Sequence, residues 1–324
     1  MVAIKDLLVP LSTLSALLST SLAAPATEAP ATCTNPVLRK EWSAATAAER
    51  SSYLKAVLCL ATKPSRIGLP TTLYDDFSYI HNQLNLHIHG VAQFLPWHRY
   101  FIHVYEAALK DCGYTGVAMY WDWAKASAAP ASDPVWSLTA GFGGNGNTST
   151  PNVPMSRCID GPLKTLRPTY YGETVRSHCV LRDFVAAIPQ ADPPLQEMIG
   201  WQYSQEVIDG ILSSNPTFFT FHSALEGGPH GVVHAGIAGW SNGDMGPLTS
   251  PNDPIFFLHH TMVDRVWWQW QQGNPGARTN DFSGNEFGDV PGTLDTVMLM
   301  NSLAPNRKVG DFMSTKTGDL CYRY

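Results

Sequence analysis

Six of the eleven histidines in the chain fall into two groups of three. The members are His81, His89 and His98 in the first group and His230, His234 and His260 in the second. Neither group includes a carboxylate or a thiolate. Sets made of imidazoles alone suit copper, zinc or nickel. Two such sets in one chain predict a pair of metal ions.

The second group contains the two members that lie closest together in the sequence. His230 and His234 are four residues apart, so on a helix both imidazoles project from one face, one turn apart. Such a pair can form two bonds to one metal ion. Gly227, Gly228 and Pro229 come directly before the pair. The helix is therefore predicted to begin at the pair, with no bulky side chain beside the ion.

His259 and His260 lie in the predicted helix DPIFFLHHTMVDRVWWQW, among large apolar residues. An imidazole buried in such surroundings is costly unless it finds a partner. Metal binding provides a partner, and hydrogen bonds to the backbone are the alternative. Asp264, one turn after His260, is expected to orient a ligand imidazole. The residues alone do not decide which of the two histidines binds the metal.

The first group spans a predicted break between two helices. His89 and His98 flank the sequence GVAQFLPW, where one helix is predicted to end and the next to begin. His81 lies on the earlier helix, eight residues before His89. The three imidazoles can therefore meet at one point. The chain has no HExxH pattern, which disfavours a zinc protease.

The spacing of apolar residues predicts a mainly α-helical chain with long irregular loops. The predicted helices are 42–60, 73–86, 97–109, 206–212, 216–225, 231–237 and 254–272. Glycine, proline and polar turn residues dominate 124–195 and 273–324. We therefore expect the helices to position the histidines and the loops to surround them.

Composition and the N-terminus limit the partners. The chain has 324 residues and a net charge of −6, which argues against a nucleic-acid-binding protein because such proteins need clustered basic charge. Residues 1–23 have the pattern of a secretory signal peptide, and 24–32 are expected to form a flexible leader. No later run is long and apolar enough to span a bilayer. We expect a secreted protein with neither a nucleic-acid nor a membrane partner.

Export permits disulfides, and the six cysteines allow up to three. Fifteen pairings are possible, and the spacing does not choose among them. We expect Cys321, close to the end of the chain, to tie the C-terminus to the body of the protein, with Cys33 as its partner. Asn147 begins the only sequon for N-glycosylation.

The blocks HGVAQFLPWHRYFIHVYE and DPIFFLHHTMVDRVWWQW, with YWDW between them, resemble the copper-binding motifs of the tyrosinase and catechol oxidase family. The similarity runs from Cys33 to the terminal CYRY. It implies a four-helix bundle around a binuclear copper site, in one domain over 33–324 without a C-terminal plug domain. The implied ligands are His81, His89 and His98 for the first copper and His230, His234 and His260 for the second. In the family the second histidine of the HH pair is the ligand, which favours His260 and predicts that His259 lies on the other face of the helix.

The resemblance also implies residues on the substrate side. Phe256 matches an aromatic residue near the bound phenol, and Pro247 falls near the gate position over the second copper. Glu226 matches a buried glutamate that holds a water molecule. In part of the family an Asn after the first ligand of the second copper directs that water. Here Gly231 and Ala235 follow the two ligands of that pair, and neither can orient a water.

The remaining histidines are predicted to be structural. His87 stands where many fungal relatives have a cysteine that bonds to the second ligand, so no thioether is expected here. His103 follows His98 by five residues, which turns it about 140° around the helix, away from the metal. We expect His178 and His222 to lie at the surface or to be hydrogen-bonded in the core.

The implied function is a copper oxidoreductase with two copper ions, small phenolic substrates and O2 as co-substrate. We expect oxidation of o-diphenols to o-quinones well above hydroxylation of monophenols, because a phenol with a pKa of about 10 needs help to lose its proton. A tyrosinase-like monooxygenase or oxidase of a secondary-metabolite pathway is an alternative. A non-catalytic protein that binds O2 or a metal such as zinc is the alternative from another class.

Overall fold

The computed structural model describes residues 33–146, 157–184, 198, 200–239 and 243–324. The predicted signal peptide (1–23), the predicted leader (24–32) and the sequon at Asn147 lie outside the described residues.

Helices supply the framework. Their bounds are α1 Ala47–Leu60, α2 Leu73–Gln83, α3 Asn85–Ile88, α4 Phe94–Asp111, α5 Gln205–Ser214, α6 Phe218–Leu225, α7 Gly231–Ala238, α8 Ile255–Gly273 and α9 Pro275–Arg278. A five-residue π-helical turn, Glu226–His230, joins α6 to α7. The predicted mainly helical fold is confirmed. No helix in the described ranges has the length and hydropathy needed to cross a membrane.

The strands are two residues long and pair locally or across the termini. Their bounds are β1 Val37–Leu38, β2 Arg157–Cys158, β3 Tyr170–Tyr171, β4 Thr174–Val175, β5 Leu181–Arg182, β6 Asn285–Glu286, β7 Val290–Pro291, β8 Val297–Met298, β9 Arg307–Lys308 and β10 Tyr322–Arg323. The antiparallel pairs are β2–β5, β3–β4, β6–β7 and β8–β9. The parallel pair β1–β10 joins the first described segment to the last.

Capping residues explain where the first helices begin. The Thr46 hydroxyl accepts from Glu49 N, while the Glu49 carboxylate accepts from Thr46 N, so α1 starts at a reciprocal capping box. Thr72 and Asp75 form the same arrangement at the start of α2. These caps satisfy backbone donors that the first helical turn leaves free.

The predicted helix 73–86 is two helices. Leu84, with φ −96° and ψ 2°, ends α2 and precedes the four-residue α3. The chain then becomes extended at His89 and makes a turn at Gly90, whose φ of 66° favours glycine. This break allows His89 to face back toward His81, which a continuous helix would not.

All six cysteines form disulfides, which confirms the expected number. The bonds are Cys33–Cys321, Cys59–Cys112 and Cys158–Cys179. The expected pairing of Cys33 with Cys321 is among them, beside the β1–β10 pair. No thiol therefore remains for a thioether to a histidine.

Replacing both Cys33 and Cys321 by Ser is expected to lower the free energy of unfolding by about 2–5 kcal/mol, because the bond closes most of the chain into one loop. Denaturant unfolding measures the loss. The matched control is the Cys158–Cys179 pair, which is separated by only 21 residues. If removal of the Cys158–Cys179 bond destabilises the protein as much as removal of the Cys33–Cys321 bond, loop closure does not explain the effect.

Candidate metal centre

The first histidine cluster is assembled by α2, α3 and α4. His81 lies near the end of α2, His89 follows α3, and His98 lies in the second turn of α4. One ligand atom from each of the three lies within 4.8 Å of the others. The Nε2 atoms of His81 and His98 are 3.4 Å apart. The structure thus brings together the three residues that the sequence grouped.

The second cluster depends on the π-helical turn. Gly228 adopts φ −101° and ψ −114° inside that turn, and this kink starts α7 at the histidine pair. Single π-helical turns often occur at functional sites. His230 ends the turn, and His234 lies one helical turn later on α7. Their ring centroids are 4.7 Å apart, and α8 adds His260.

The two clusters lie side by side. The rings of His98 and His260 stack with their centroids 4.3 Å apart and an interplanar angle of 10°. His89 and His230 face each other with ring centroids 6.3 Å apart. The helices α2, α4, α7 and α8 therefore gather both sets at one place, which is the arrangement that a binuclear metal site requires.

Hydrogen bonds to oxygen atoms fix the tautomers of five imidazoles. Each of these rings donates from Nδ1 to an oxygen atom that can only accept, so Nε2 carries a free lone pair. The pairs are His81 with Leu248 O (2.6 Å), His89 with Asn85 Oδ1 (2.9 Å), His98 with Phe94 O (2.7 Å), His230 with Glu226 O (3.0 Å) and His234 with Met245 O (2.7 Å). Such contacts orient metal-binding histidines.

Bare nitrogen atoms that face each other need a cation between them. The Nε2 atoms of His81 and His98, which both lack a proton, are 3.4 Å apart, and Nε2 of His230 is buried with no hydrogen-bond partner in the described part of the chain. Two neutral lone pairs at this distance repel unless a positive ion binds both. The residues present therefore fit a metal ion in each cluster, and imidazoles alone suit copper.

Burial keeps these imidazoles in the form that binds metals. Desolvation, followed by the neighbouring imidazoles, lowers the pKa of His89 to about 4. Burial also lowers the pKa of His234 to about 4. The pKa values of the other four lie well below the usual value for the same reason; these are His81, His98, His230 and His260. All six are therefore neutral at pH 7 and can donate a lone pair to a metal.

The second cluster contains a fourth histidine. His259 was predicted to lie on the opposite face from the ligands, but its ring centroid is 4.9 Å from that of His234, and it belongs to the group that could hold an ion. Two observations favour His260 as the ligand: its Nε2 faces that of His234, and its ring stacks on His98. The His259 ring stacks beside that of His230, with the centroids 5.3 Å apart, and its centroid is 6.3 Å from that of Trp123.

Replacing His260 by Ala is expected to lower by one the number of copper ions that the copper-loaded protein holds, because that cluster would lose a directly facing nitrogen. Replacing His259 by Ala is expected to leave both ions bound. Copper per chain, measured by mass spectrometry of the metal, distinguishes the two variants. The opposite pattern would assign the ligand role to His259.

Asp264 does not have the predicted role. Its carboxylate accepts from Arg99 Nε (2.6 Å), Arg39 Nη1 (3.2 Å) and the Tyr322 hydroxyl (2.6 Å), and in the described part of the chain it forms no hydrogen bond to a histidine. The prediction that Asp264 orients a ligand is therefore wrong. The Asp264 side chain, one helical turn after His260, points toward the buried arginines. Main-chain carbonyls orient four of the imidazoles instead, and the Asn85 side chain orients His89.

Phe256 supports the imidazoles from within the core. The residue is fully buried, and its ring centroid is 4.1 Å from that of His260 and 5.1 Å from that of His81. It thus packs against both clusters. Contact between this ring and a phenol stays a prediction.

Gly231, Ala235 and Pro247, which are predicted to lie on the substrate side, are not fully buried. Ala235 and Leu248 are exposed, and Gly231 and Pro247 are half-buried. A side chain has room at Gly231, because an added Cβ would meet only the Glu226 carbonyl oxygen, at 3.4 Å. Contact between a phenol and Gly231, Ala235 or Pro247 stays a prediction.

Glu226 connects the two clusters. Its carboxylate accepts from Gly90 N at 2.8 Å, next to His89, while its main-chain oxygen holds His230. Burial raises the pKa of this carboxyl to about 7, although the Gly90 amide lowers it. A carboxyl group with such a pKa can exchange protons near neutral pH.

The other histidines divide between surface and core. His87 is exposed and packs on Phe287. His178 is half-buried and donates from Nδ1 to the Arg176 carbonyl oxygen and from Nε2 to Asp244 Oδ1. His103 is half-buried on α4. His222 differs: it is buried and lines a cavity beside His89.

The sequence reasoning missed three contributors to the site. Asn85 holds His89, and its spacing of four residues from His89 was a signal that could have found it. His259 was visible as a neighbour of His260. The carbonyl of Leu248 carries no signal in the sequence, because a loop brings it to His81.

The common central domain of tyrosinase matches residues 71–273, the segment that carries both histidine clusters. The chain belongs to the tyrosinase family. Membership in the tyrosinase family indicates a copper oxidoreductase and agrees with the two imidazole clusters.

Curated relatives extend the match over most of the chain. The tyrosinase-like protein phomQ2 of Diaporthe leptostromiformis is 38% identical over 300 residues, which cover 91% of this chain and 74% of the relative. The N-acetyl-6-hydroxytryptophan oxidase ivoB of Emericella nidulans is 31% identical over 342 residues, which cover 90% of this chain and 92% of the relative. Both are tyrosinase relatives from fungi.

A solved structure shares the fold. The polyphenol oxidase of Thermothelomyces thermophila, in a variant with one Gly replaced by Asn, has a TM-score of 0.76 and 28% identity. The match covers 89% of this chain and 88% of that protein. The helical arrangement described above is thus that of the tyrosinase family.

Proposed function

We propose that this protein is a secreted copper-dependent phenol oxidase that converts o-diphenols to o-quinones with O2 as co-substrate. The observation that carries the proposal is the pair of adjacent imidazole clusters whose Nε2 lone pairs face each other. The proposed ligands are His81, His89 and His98 for one ion and His230, His234 and His260 for the other. Three disulfides support export, because such bonds persist in oxidising compartments.

Two bound copper ions would supply the exchange of electrons between the diphenol and O2. The protein has to fix the ions, admit the ring and manage protons. Hydrogen bonds from Nδ1 hold five of the six imidazoles at fixed angles, and we infer that the reacting ring lies near Gly231 and Ala235, which carry no bulky side chain. Each diphenol gives up two electrons and two protons, and Glu226 is the titratable side chain placed to accept a proton.

Hydroxylation of a monophenol requires more help with removal of the phenolic proton than oxidation of a diphenol does. A monophenol has a pKa of about 10, whereas the raised pKa of Glu226 is about 7, so direct transfer is uphill. A neighbouring amide could hold a water molecule between the two groups, but Gly231 and Ala235 have no such group. We therefore propose that diphenol oxidation exceeds monophenol hydroxylation.

Gly231→Asn is expected to raise the rate on a monophenol by about tenfold while leaving catechol oxidation little changed, since proton transfer by a positioned group is worth at least that much. The matched control is Gly231→Ala, which adds the Cβ without the amide. Steady-state rates on tyrosol (a monophenol) and hydroxytyrosol (the matching diphenol) give the ratio of monophenol to diphenol activity for each variant. Equal ratios in the two variants would show that proton removal does not limit hydroxylation.

A place in a secondary-metabolite pathway is the second candidate. Similarity to ivoB, whose name states oxidation of a hydroxytryptophan, favours a hydroxylated aromatic substrate other than simple catechol. The two candidates share one centre and differ only in substrate. A non-catalytic protein that binds O2 or zinc is the remaining alternative.

Oxygen uptake by the copper-loaded protein tests the proposal across matched monophenols and diphenols, with the products identified. We expect O2 consumption with diphenols and quinone as product. The zinc-loaded protein is the control and should consume none. If the copper form binds O2 but turns over no phenol, the protein is a carrier.

A further inference from the structure

A cavity of about 770 Å3 opens beside His89. Three segments surround it: the loop 89–92, the helix α6 with the start of the π-helical turn, and the tip 286–289 of the β6–β7 hairpin. The cavity is much larger than a single phenol ring. It therefore has room for the part of a substrate that does not react.

The hairpin is anchored on both sides of the cavity. Ala92 N donates to Asn285 O at 2.8 Å, which ties the hairpin to the loop that follows His89. On the other side, Phe219 N donates to Ser283 Oγ at 3.1 Å and Phe218 N donates to Asp281 Oδ2 at 2.8 Å. The hairpin tip is thus held over the cavity by both of its neighbours.

Large apolar side chains surround the mouth of the cavity. Leu86 is 58% exposed, Phe219 is 53% exposed and Phe287 is 50% exposed. All three line the cavity. Adjacent exposed apolar groups at a cleft are typical of a ligand contact. They favour a substrate whose extension is apolar.

The charge of the lining is negative. Glu286 and Asp289 lie at the hairpin tip, whereas no Lys or Arg lines this cavity in the described ranges. Glu286 is held by Gln93 and Thr296. Asp289 is exposed and has no ion pair within the described part of the chain. A cation is therefore attracted to the tip and an anion repelled.

His222 gives an independent indication of a ligand. Its ring is 3% exposed and lines the cavity, and neither ring nitrogen has a hydrogen-bond partner among the described residues. A buried polar group without a partner is costly, so a polar ligand or water is expected to reach it. Burial lowers the pKa of His222 to about 4, so the ring is neutral and does not offset the carboxylates.

We propose that this cavity binds the non-reacting part of the phenol and selects phenols that carry an ammonium group on an apolar extension over those that carry a carboxylate. Asp289 is the specificity-determining residue for the charge, and Phe219 and Phe287 contact the extension. The inference rests on the proposed function, because it places the reacting ring at the neighbouring histidines.

Three matched catechols test the selection: dopamine, ethylcatechol and dihydrocaffeate. We expect KM to be about two- to fivefold lower for dopamine than for ethylcatechol, the range for an exposed ion pair, and higher for dihydrocaffeate. The value of kcat should change little, because the charge lies away from the reacting ring. High salt should reduce the difference, since exposed charges are screened.

Asp289→Asn removes the charge and keeps the shape. Asp289 has a φ of 59°, a conformation that Asn also tolerates, so the hairpin should fold. KM for dopamine should rise to that of ethylcatechol in this variant and stay low in the control Asp209→Asn, which lies on α5 outside the cavity lining. A dopamine preference that survives Asp289→Asn, or none in the unaltered protein, overturns the inference.

Equilibrium binding separates this inference from the proposed function. Dissociation constants for the same three compounds are measured on the copper-loaded protein without O2. Affinity that falls from dopamine to ethylcatechol to dihydrocaffeate, and loss of this order in Asp289→Asn, support the inference even if no compound is turned over. Turnover without this order contradicts the inference and leaves the proposed function standing.

Discussion

His98→Ala is expected to lower copper from two ions per chain to one and to remove turnover of diphenols. Changes in residues that only orient a ligand typically cost 10–100-fold, so loss of a direct ligand is expected to cost more. His98 is the most sensitive position, because its Nε2 faces His81 and its ring stacks on His260. The measurements are copper per chain and the rate on catechol.

His103→Ala is the matched control for this variant. Both residues lie on α4, but His103 points toward Phe312 rather than toward the clusters. Its replacement should leave both ions and the rate unchanged. Full activity in His98→Ala, with His103→Ala also active, would contradict the ligand assignment.

Asp264→Asn is expected to destabilise the fold by about 3–5 kcal/mol, because it removes the carboxylate that pairs with buried Arg99, whereas Arg39 keeps its ion pair with Glu106. Arg39 and Arg99 both pair with Asp264, and all three are buried. Burial alone would raise the pKa of Asp264, but the arginines hold it below its usual value. The ionised Asp264 carboxylate therefore contributes to the free energy of unfolding at neutral pH, and this contribution is lost as the pH falls below about 3.9.

Thermal and denaturant unfolding measure this loss. The folded fraction of Asp264→Asn should still bind both copper ions, because among the described residues Asp264 forms no hydrogen bond to an imidazole. Asp111→Asn is the control: its ion pair with Arg66 is exposed, and exposed pairs contribute little. If Asp264→Asn keeps normal stability but loses copper, Asp264 does orient a metal ligand, and the stabilising role assigned to it here is wrong.

Local signals explain why most helices could be predicted. Thr46 and Thr72 carry capping boxes, and the apolar spacing of 97–109 and 254–272 gave α4 and α8 within a few residues. The histidine groups were also visible, since His230 and His234 share one helical face. These features depend on residues close together in sequence.

Contacts between distant segments could not be predicted from the same signals. Asp264 lies one turn after His260 and was expected to reach it, yet Arg39, 225 residues away, holds the carboxylate. The carbonyl of Leu248 orients His81 from 167 residues away. Nothing in the local sequence encodes these pairings, because the packing of α2, α4 and α8 creates them.

Oxygen uptake on catechol as a function of copper bound per chain tests the central claim most directly. The claim is that six imidazoles hold two neighbouring copper ions that act together. We predict little uptake up to one ion per chain and a steep rise to a plateau at two. A plateau at one ion per chain, or no uptake with two ions bound, would contradict the binuclear phenol oxidase.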